Sequence, residues 1–354
     1  MLCETATTKF WRRSRKKSLV KFLRKCYSIH VADYLHVFVI VGELNNTRLQ
    51  TNLLHFYFLG ISRCPIAIAS AIWYNNDRNS FRKAVFTVKL TILTDNTTRI
   101  DAYYLGEPAV SYFIECDGMK FLFDTGYSDV YLKNAERIGI DLHQLDAIIF
   151  SHGHNDHTGG LEFLPEAIRD IPLYAHPDAF APKEYEGMSV GSILSETDLC
   201  NRFQLCLSSE PVRLSEHLIF LGEIPRTNDF EGKDPIGMRL LGKAWEPDYL
   251  PDDTALAYCG NGGLTIITGC SHAGICNITE YAKDVCGDDR IEGIIGGFHL
   301  LEMNSQVSST VDYLKKQNPK RLCPCHCTCF HARAALQNAI PVTEVCVGDV
   351  LEIE

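Results

Sequence analysis

The sequence predicts an α/β protein in which β-rich hairpins come first and strands then alternate with helices. Two observations carry this. FTVKLTILTD and SYFIECDGMKFLFDTG are β-rich and precede a long stretch where apolar runs alternate with segments of helical spacing. In addition, four apolar runs, DAIIF, GLTIIT, IIGG and RLCPC, each lead into a polar stretch that bears histidine. With 354 residues and 46% hydrophobic content, the chain is long enough for one large domain or two ordinary ones with a full core.

The elements follow in order. FTVKLTILTD alternates and reads as an edge-type strand. SYFIECDGMKFLFDTG gives two strands around Asp117-Gly118, a two-residue hairpin signal. SDVYLKNAERIGI has helical spacing, and DAIIF is a short buried strand. LEFLPEAIRD reads as a helix and PLYAHPDAF as a strand and turn. GLTIITGCSH, IEGIIGGFHL and RLCPCHC are strands, separated by the helices ICNITEYAKDVC and SSTVDYLKKQN. ARAALQNA is a further helix, and TEVCVGDVLEIE closes the chain with a strand.

Charge divides the chain near residue 87. Residues 1 to 87 hold 14 Lys and Arg against 4 Asp and Glu, which leaves 20 against 40 for the rest. Such a split marks an appended extension. KFWRRSRKKSLVKFLRKC is basic and acid-poor, as in a mitochondrial targeting segment or a solvated, weakly ordered arm. Residues 53 to 74 are apolar for about the length of a membrane span, roughly 20 residues. Arg63, Pro65 and His55 interrupt that run and argue against a transmembrane helix, so no membrane partner is expected. The net charge of −10 gives no general reason to expect nucleic acid. Fifteen scattered cysteines in so long a chain fit reduced thiols and a cytoplasmic location, with mitochondria as the alternative. The oligomeric state stays open.

SHGHNDHTGG, residues 151 to 160, is the most informative stretch. His152, His154 and His157 offer neutral imidazoles suited to zinc, iron or manganese, and Asp156 adds a hard oxygen. On a turn leaving a strand, His152 and His154 point to one side. Asp156 and His157 then face a neighbouring point, about the 3.5–4 Å that separates paired catalytic metals. Gly153, Gly159 and Gly160 allow close backbone approach. A polar surface loop is the alternative, and three histidines with an aspartate at this spacing weigh against it.

HGHNDH fits the HxHxDH signature of the metallo-β-lactamase superfamily. TILTDNTT, FLFDTGYSDVYLKNAERIGIDL, AHPDAF, GEIPRT, PDDTAL, TGCSHAGICNI, IIGGFHL and HCT accompany it. Over residues 88 to 354 the chain therefore resembles one branch of that superfamily. Its members are metal-dependent hydrolases of the 7,8-dihydropterin-6-methyl-4-(β-D-ribofuranosyl)aminobenzene-5'-phosphate synthase type. The resemblance implies an αββα sandwich with two divalent metal ions, zinc by expectation and iron or manganese as alternatives, at one edge of the sheets.

By the same resemblance, His152 and His154 match ligands of the first metal, and Asp156 and His157 match ligands of the second. Asp124, in FDTG, matches the acidic residue beneath them and would orient a ligand; a turn-capping aspartate is its alternative. His272 and His326 are expected as the remaining ligands. Cys270 stands where a bridging aspartate would follow TG, as a soft ligand or a small packed residue. His299 would contact a metal or substrate, or else be structural. Asp252 and Asp253 either reach the site or form a solvated turn. His176, beside Pro177, reads as a turn residue.

CPCHCTCFH places four cysteines at every second position, which on a strand would put the thiols on one side and His326 opposite. A separate zinc site usually needs CxxC-type spacing, so apolar packing is the simpler reading, with a redox or extra metal role as the alternative. Cys329 stands where the branch has glycine, which puts the loop after His326 in doubt.

These residues imply a metal-dependent hydrolase in which a metal-bridging hydroxide attacks an ester-like bond of a small molecule, phosphate-bearing or pterin-related. Asp156 would orient the hydroxide and pass its proton to the leaving group. No nucleophile elbow or P-loop offers another chemistry. The alternatives are an iron-dependent oxidoreductase of the same fold and a non-catalytic metal- or ligand-binding protein.

Overall fold

The computed structural model describes residues 87 to 354 and two earlier strands, β1 (Lys25–Val31) and β2 (Leu35–Val41). Contacts divide the chain into the units Met1–Asn76 and Asp77–Glu354. In the first unit, β1 and β2 pair antiparallel from Lys25↔Val41 to Val31↔Leu35. The basic segment from Lys9 to Arg24 and the apolar run 53 to 74 lie outside the described residues. No helix among the described residues is long and apolar enough to cross a membrane.

The second unit opens with three antiparallel strands, β3 (Val88–Thr94), β4 (Ser111–Cys116) and β5 (Met119–Phe123). Asp117 and Gly118 both have positive φ (54° and 78°), as the predicted two-residue hairpin requires. Helix α1 (Val130–Ile138) then leads to β6 (Ala147–Ile149), the four-residue helix α2 (Asn155–Thr158), and β7 (Pro172–Ala175). A lobe of short elements follows: β8 (Lys183–Tyr185), β9 (Met188–Ser189), α3 (Glu196–Cys200), β10 (Gln204–Leu207), β11 (Val212–Arg213), β12 (Leu218–Phe220), β13 (Met238–Leu241) and β14 (Ala244–Pro247). The chain closes with β15 (Ala255–Gly260), β16 (Gly263–Thr268), α4 (Ile275–Cys286), β17 (Ile291–Gly297), α5 (Ser305–Gln317), β18 (Arg321–Cys325), α6 (Phe330–Ala339) and β19 (Val350–Ile353).

Seven strands form one sheet in the order β10-β7-β6-β5-β4-β3-β19, and six form a second in the order β11-β12-β15-β16-β17-β18. Strand alternation sorts the side chains into three cores. Leu90, Ile92, Tyr112, Phe121 and Ile149 meet Phe220, Leu256, Ile267 and Ile295 between the sheets. Their neighbours Leu93, Phe113, Leu122 and Ile148 face outward beneath Tyr131 and Ala135 of α1. On the far side, Leu264, Ile266, Ile294 and Leu322 pack under Ile278, Leu314 and Leu336 of α4, α5 and α6. The result is the αββα sandwich. A separate four-stranded sheet, β14-β13-β8-β9, stands at one edge.

Three local expectations are corrected. LEFLPEAIRD is not an α-helix: a 3-10 turn spans Gly159–Phe163 and stops at Leu164, whose φ −61° and ψ 131° are the extended values imposed on a residue before proline. β3 is not an edge strand, because the C-terminal β19 folds back beside it. The alternating cysteines do not share one strand face. β18 ends at Cys325, so only Cys323 and Cys325 enter the core between the sheets. Cys329 accepts the Ala332 N–H as the cap of α6, a role that leaves the preceding loop intact where the branch has glycine.

Within each sheet the strands that feed the histidine loops run parallel: β5, β6 and β7 in one, β16, β17 and β18 in the other. Their carboxyl ends therefore lie together, where open α/β sheets bind ligands.

Candidate metal centre

Each donor loop leaves its strand through an unusual backbone conformation. Asp124, Ser271, His299 and His326 all have positive φ, between 47° and 61°. Non-glycine residues take this conformation rarely, and such residues cluster at functional sites. Gly153 meets a steric demand instead: a Cβ there would lie 1.7 Å from the Ala179 carbonyl oxygen.

The structure brings together His152, His154, Asp156, His157, Cys270, His272 and His326. Donor atoms of Asp156, His157, Cys270 and His326 lie within 4.8 Å of one another, as do those of His152, Cys270 and His272, and those of His152, His154 and Asp156. Cys270 thus stands between the two halves of the cluster. His152 and His154 are brought together beyond the end of β6, so the loop path and not strand alternation aligns them.

Outer partners aim the rings. The Ser151 hydroxyl donates to Asp124 Oδ2 at 2.7 Å, which leaves Ser151 Oγ to accept from His152 Nδ1 at 3.0 Å. His157 Nδ1 donates to Asp124 Oδ2 at 2.7 Å, and His326 Nδ1 faces Asn96 Oδ1 at 3.2 Å. In all three rings Nδ1 is engaged away from the centre and Nε2 points into it. A partner on the outer nitrogen is the arrangement that fixes the tautomer of a metal-ligating histidine.

The inward atoms face other donors in place of ordinary partners. His326 Nε2 is buried with no hydrogen bond, whereas on His154 and His272 the unpartnered nitrogens, Nε2 and Nδ1, are those opposite the ones that face His152. His152 Nε2 lies 3.1 Å from His154 Nδ1 and 3.2 Å from His272 Nε2. Nitrogens at bonds of about 2.0–2.1 Å around a tetrahedral zinc sit roughly 3.3 Å apart. Converging bare lone pairs at that spacing fit a cation and would repel without one.

Electrostatics agree with this for His152, His154 and His272. Burial, reinforced by neighbouring imidazoles, pushes His152 and His272 well below the usual histidine range, and burial brings His154 down to about 4. Their lone pairs are therefore free at neutral pH. Burial opposes charge on His157, yet the carboxylates of Asp156 and Asp124 push it up to about 10. Asp156, though half-buried, is held well below the usual carboxylate range by His157 and His326. Its Oδ2 lies 3.5 Å from His157 Nε2 and 3.4 Å from His326 Nε2.

The remaining candidates sit around this cluster. His299 joins Cys270 and Cys327 in a group with donor atoms within 4.8 Å, and its Nδ1 is buried without a partner. Asp253 is buried beneath the His272 loop, accepts the Ala273 N–H at 2.8 Å, and is pushed up to about 7 by burial. Neither aspartate of the pair forms a solvated turn. Asp252 accepts the Gly153 N–H at 2.8 Å and pairs with the buried Lys183 at 2.9 Å. His176 accepts the Asp178 N–H in a turn after β7, outside the donor groups.

Several residues escaped sequence reasoning. Asp95 accepts the His326 N–H at 3.0 Å, and Asn96 holds the His326 ring. Both stand in TILTDNTT, where only long-range contacts reveal their role. Lys183 carried no signal at all, since lysine normally marks surface. Pro108, Tyr127, Ile236 and Leu301 wall a recess of about 400 Å³ over the donors.

The metallo-beta-lactamase superfamily model matches residues 105–326. The chain belongs to the metallo-β-lactamase superfamily. It is 34% identical, over 264 residues, to the 7,8-dihydropterin-6-methyl-4-(beta-D-ribofuranosyl)-aminobenzene-5'-phosphate synthase of Methanocaldococcus jannaschii, covering 70% of this chain and 90% of that protein. An uncharacterised protein of the same organism is 32% identical over 274 residues, 75% of this chain and all of the relative. Among solved structures, Tm1679, described as a metal-dependent hydrolase of the beta-lactamase superfamily, is similar with a TM-score of 0.66 and 27% identity, over 75% of this chain and 99% of that one. The superfamily fold and the metal-dependent character of Tm1679 accord with the donor cluster.

Proposed function

We propose that the chain is a metal-dependent hydrolase that holds two divalent metal ions, zinc by expectation, and acts on an ester-like bond of a small phosphate- or carboxylate-bearing molecule. His152, His154 and His272 would hold one ion. Asp156, His157 and His326 would hold the other, and Cys270 lies within reach of both groups. The observation that carries this reading is the convergence of imidazole nitrogens, His152 Nε2 at 3.1 Å from His154 Nδ1 and 3.2 Å from His272 Nε2, with the His152, His157 and His326 rings steered from behind. When bound, such ions lower the pKa of water and polarise the scissile group.

The chain's own residues supply the rest. Asp124 and Asn96 keep Nδ1 of His157 and His326 occupied, so that Nε2 stays available. Asp156, part exposed to the recess, is placed to take and return a proton. The walls of Pro108, Tyr127, Ile236 and Leu301 suit an aromatic or apolar body, with the anionic end turned toward the donors. A pterin- or aminobenzene-type substrate fits those walls, and the named activity of the 34% identical relative makes it the first to test.

Elemental analysis of the purified chain, followed in parallel with turnover of a chromogenic phosphodiester, tests the reading. About two zinc ions per chain with turnover supports it. Iron without turnover points to redox chemistry, and a metal-free chain points to a binding role. His152→Ala is expected to lose metal and activity together while the far-UV circular dichroism spectrum persists; full metal content in that variant sinks the assignment of the first ion.

A further inference from the structure

The twelve cysteines from Cys116 to Cys346 are free thiols, and two of them meet at the metal centre. Cys270 lies in the loop after β16, and Cys327 lies in the turn after β18. Both line the open recess, and their sulfurs lie within 4.8 Å of one another and of a His299 ring nitrogen. Cys327 Sγ accepts the His299 backbone N–H at 3.2 Å, and its S–H points to the Cys270 carbonyl oxygen at 3.4 Å. Gly297 makes this approach feasible, because a Cβ there would lie 2.6 Å from Cys327 Sγ.

We propose that Cys270 and Cys327 are a thiol modification site that a hydroperoxide converts into a reversible disulfide at the mouth of the metal centre. The Cys327 sulfur attacks the outer oxygen of the hydroperoxide; the O–O bond breaks, an S–O bond forms, and the thiol proton goes to the leaving oxygen, which departs as the alcohol (water, for hydrogen peroxide). The Cys270 thiol then attacks the resulting sulfenic sulfur, the S–O bond breaks, and water leaves as the S–S bond forms. Two thiols are oxidised by two electrons and one peroxide is reduced. The pair is offset by no more than a few ångströms from bonding distance, and Cys327 sits in a turn beyond the end of β18.

Oxidation would also remove the donor shared by both halves of the centre. That consequence rests on the proposed role of Cys270 as a metal-binding sulfur.

The test is titration of the purified full chain with stoichiometric hydrogen peroxide, with non-reducing peptide mapping and metal analysis on the same samples. The expected result is a cross-linked Cys270–Cys327 peptide, loss of two thiols per chain, release of metal in step, and reversal by a thiol reductant. C327S should abolish the cross-link, and C329S should leave it unchanged. Absence of the cross-linked peptide, or its persistence in C327S, overturns the proposal. A cross-link with all metal retained leaves the disulfide standing and overturns the donor role of Cys270.

Discussion

His157 Nδ1 and Asp124 Oδ2 stand 2.7 Å apart, both side chains wholly shut off from solvent. The carboxylate is itself held by the Ser151 N–H at 2.8 Å and the Ser151 hydroxyl at 2.7 Å. One group thus fixes His157 directly and His152 through Ser151. Removing such an outer partner costs about 10–100-fold in metal affinity. Asp124→Asn is expected to weaken zinc by that order in a competition with a fluorescent chelator. An unchanged affinity would show that the contact is structural only.

Lys183 is a different case, a buried cation held by two carboxylates behind the His152–His154 loop. It pairs with Asp248 at 2.7 Å and Asp252 at 2.9 Å, all three side chains at most 1% exposed. Lys183→Met strands two carboxylates, and loss of one member of a buried pair costs about 3–5 kcal/mol. Urea unfolding should show a destabilisation of that order. Asp252 also holds the Gly153 N–H, so metal affinity should fall with stability. Equal stability in the variant would contradict the paired state of these groups.

Gly153 offers a steric test. A methyl group there would overlap the Ala179 carbonyl, whereas at Gly118 nothing lies within 4 Å. Gly153→Ala therefore forces the loop to move, at about 1–3 kcal/mol or more for overpacking. Reduced metal content is expected with it. Gly118→Ala pays only the cost of positive φ, roughly 1 kcal/mol, and should keep its metal.

Asn96 bears on the second ion alone. Its Oδ1 faces His326 Nδ1 at 3.2 Å and its Nδ2 donates to the His326 carbonyl at 3.4 Å. Asn96→Ala should lower the affinity of one of two metals by about tenfold or more, seen as a split in a zinc titration. Asn96→Asp retains the acceptor and should restore most of it. A uniform loss at both sites would place the role of Asn96 elsewhere.

Much of this architecture was legible in the sequence because its signals are local. The alternation of β3, the β-rich and apolar runs of β4 and β16 and the Asp117-Gly118 turn act between near neighbours. HGHNDH likewise crowds four donors into six residues. Where a short-range signal conflicted with its neighbourhood, reading failed. LEFLPEAIRD has helical composition, but Pro165 holds Leu164 extended. CPCHCTCFH alternates, but the strand stops at Cys325 and the chain turns to present His326 and cap α6.

The sequence by itself determined the fold class, the superfamily and the residues able to donate to a metal. Those are properties of periodicity and of side-chain chemistry. Only tertiary structure decided which distant groups share a point in space. It set Cys270 between two histidine clusters, sent Asp252 to a buried lysine, and brought Asn96 behind His326 across 230 residues of chain. The physical reason is that parallel strands gather loops from remote segments at one sheet edge. Which loops meet there depends on strand order, which no local pattern encodes.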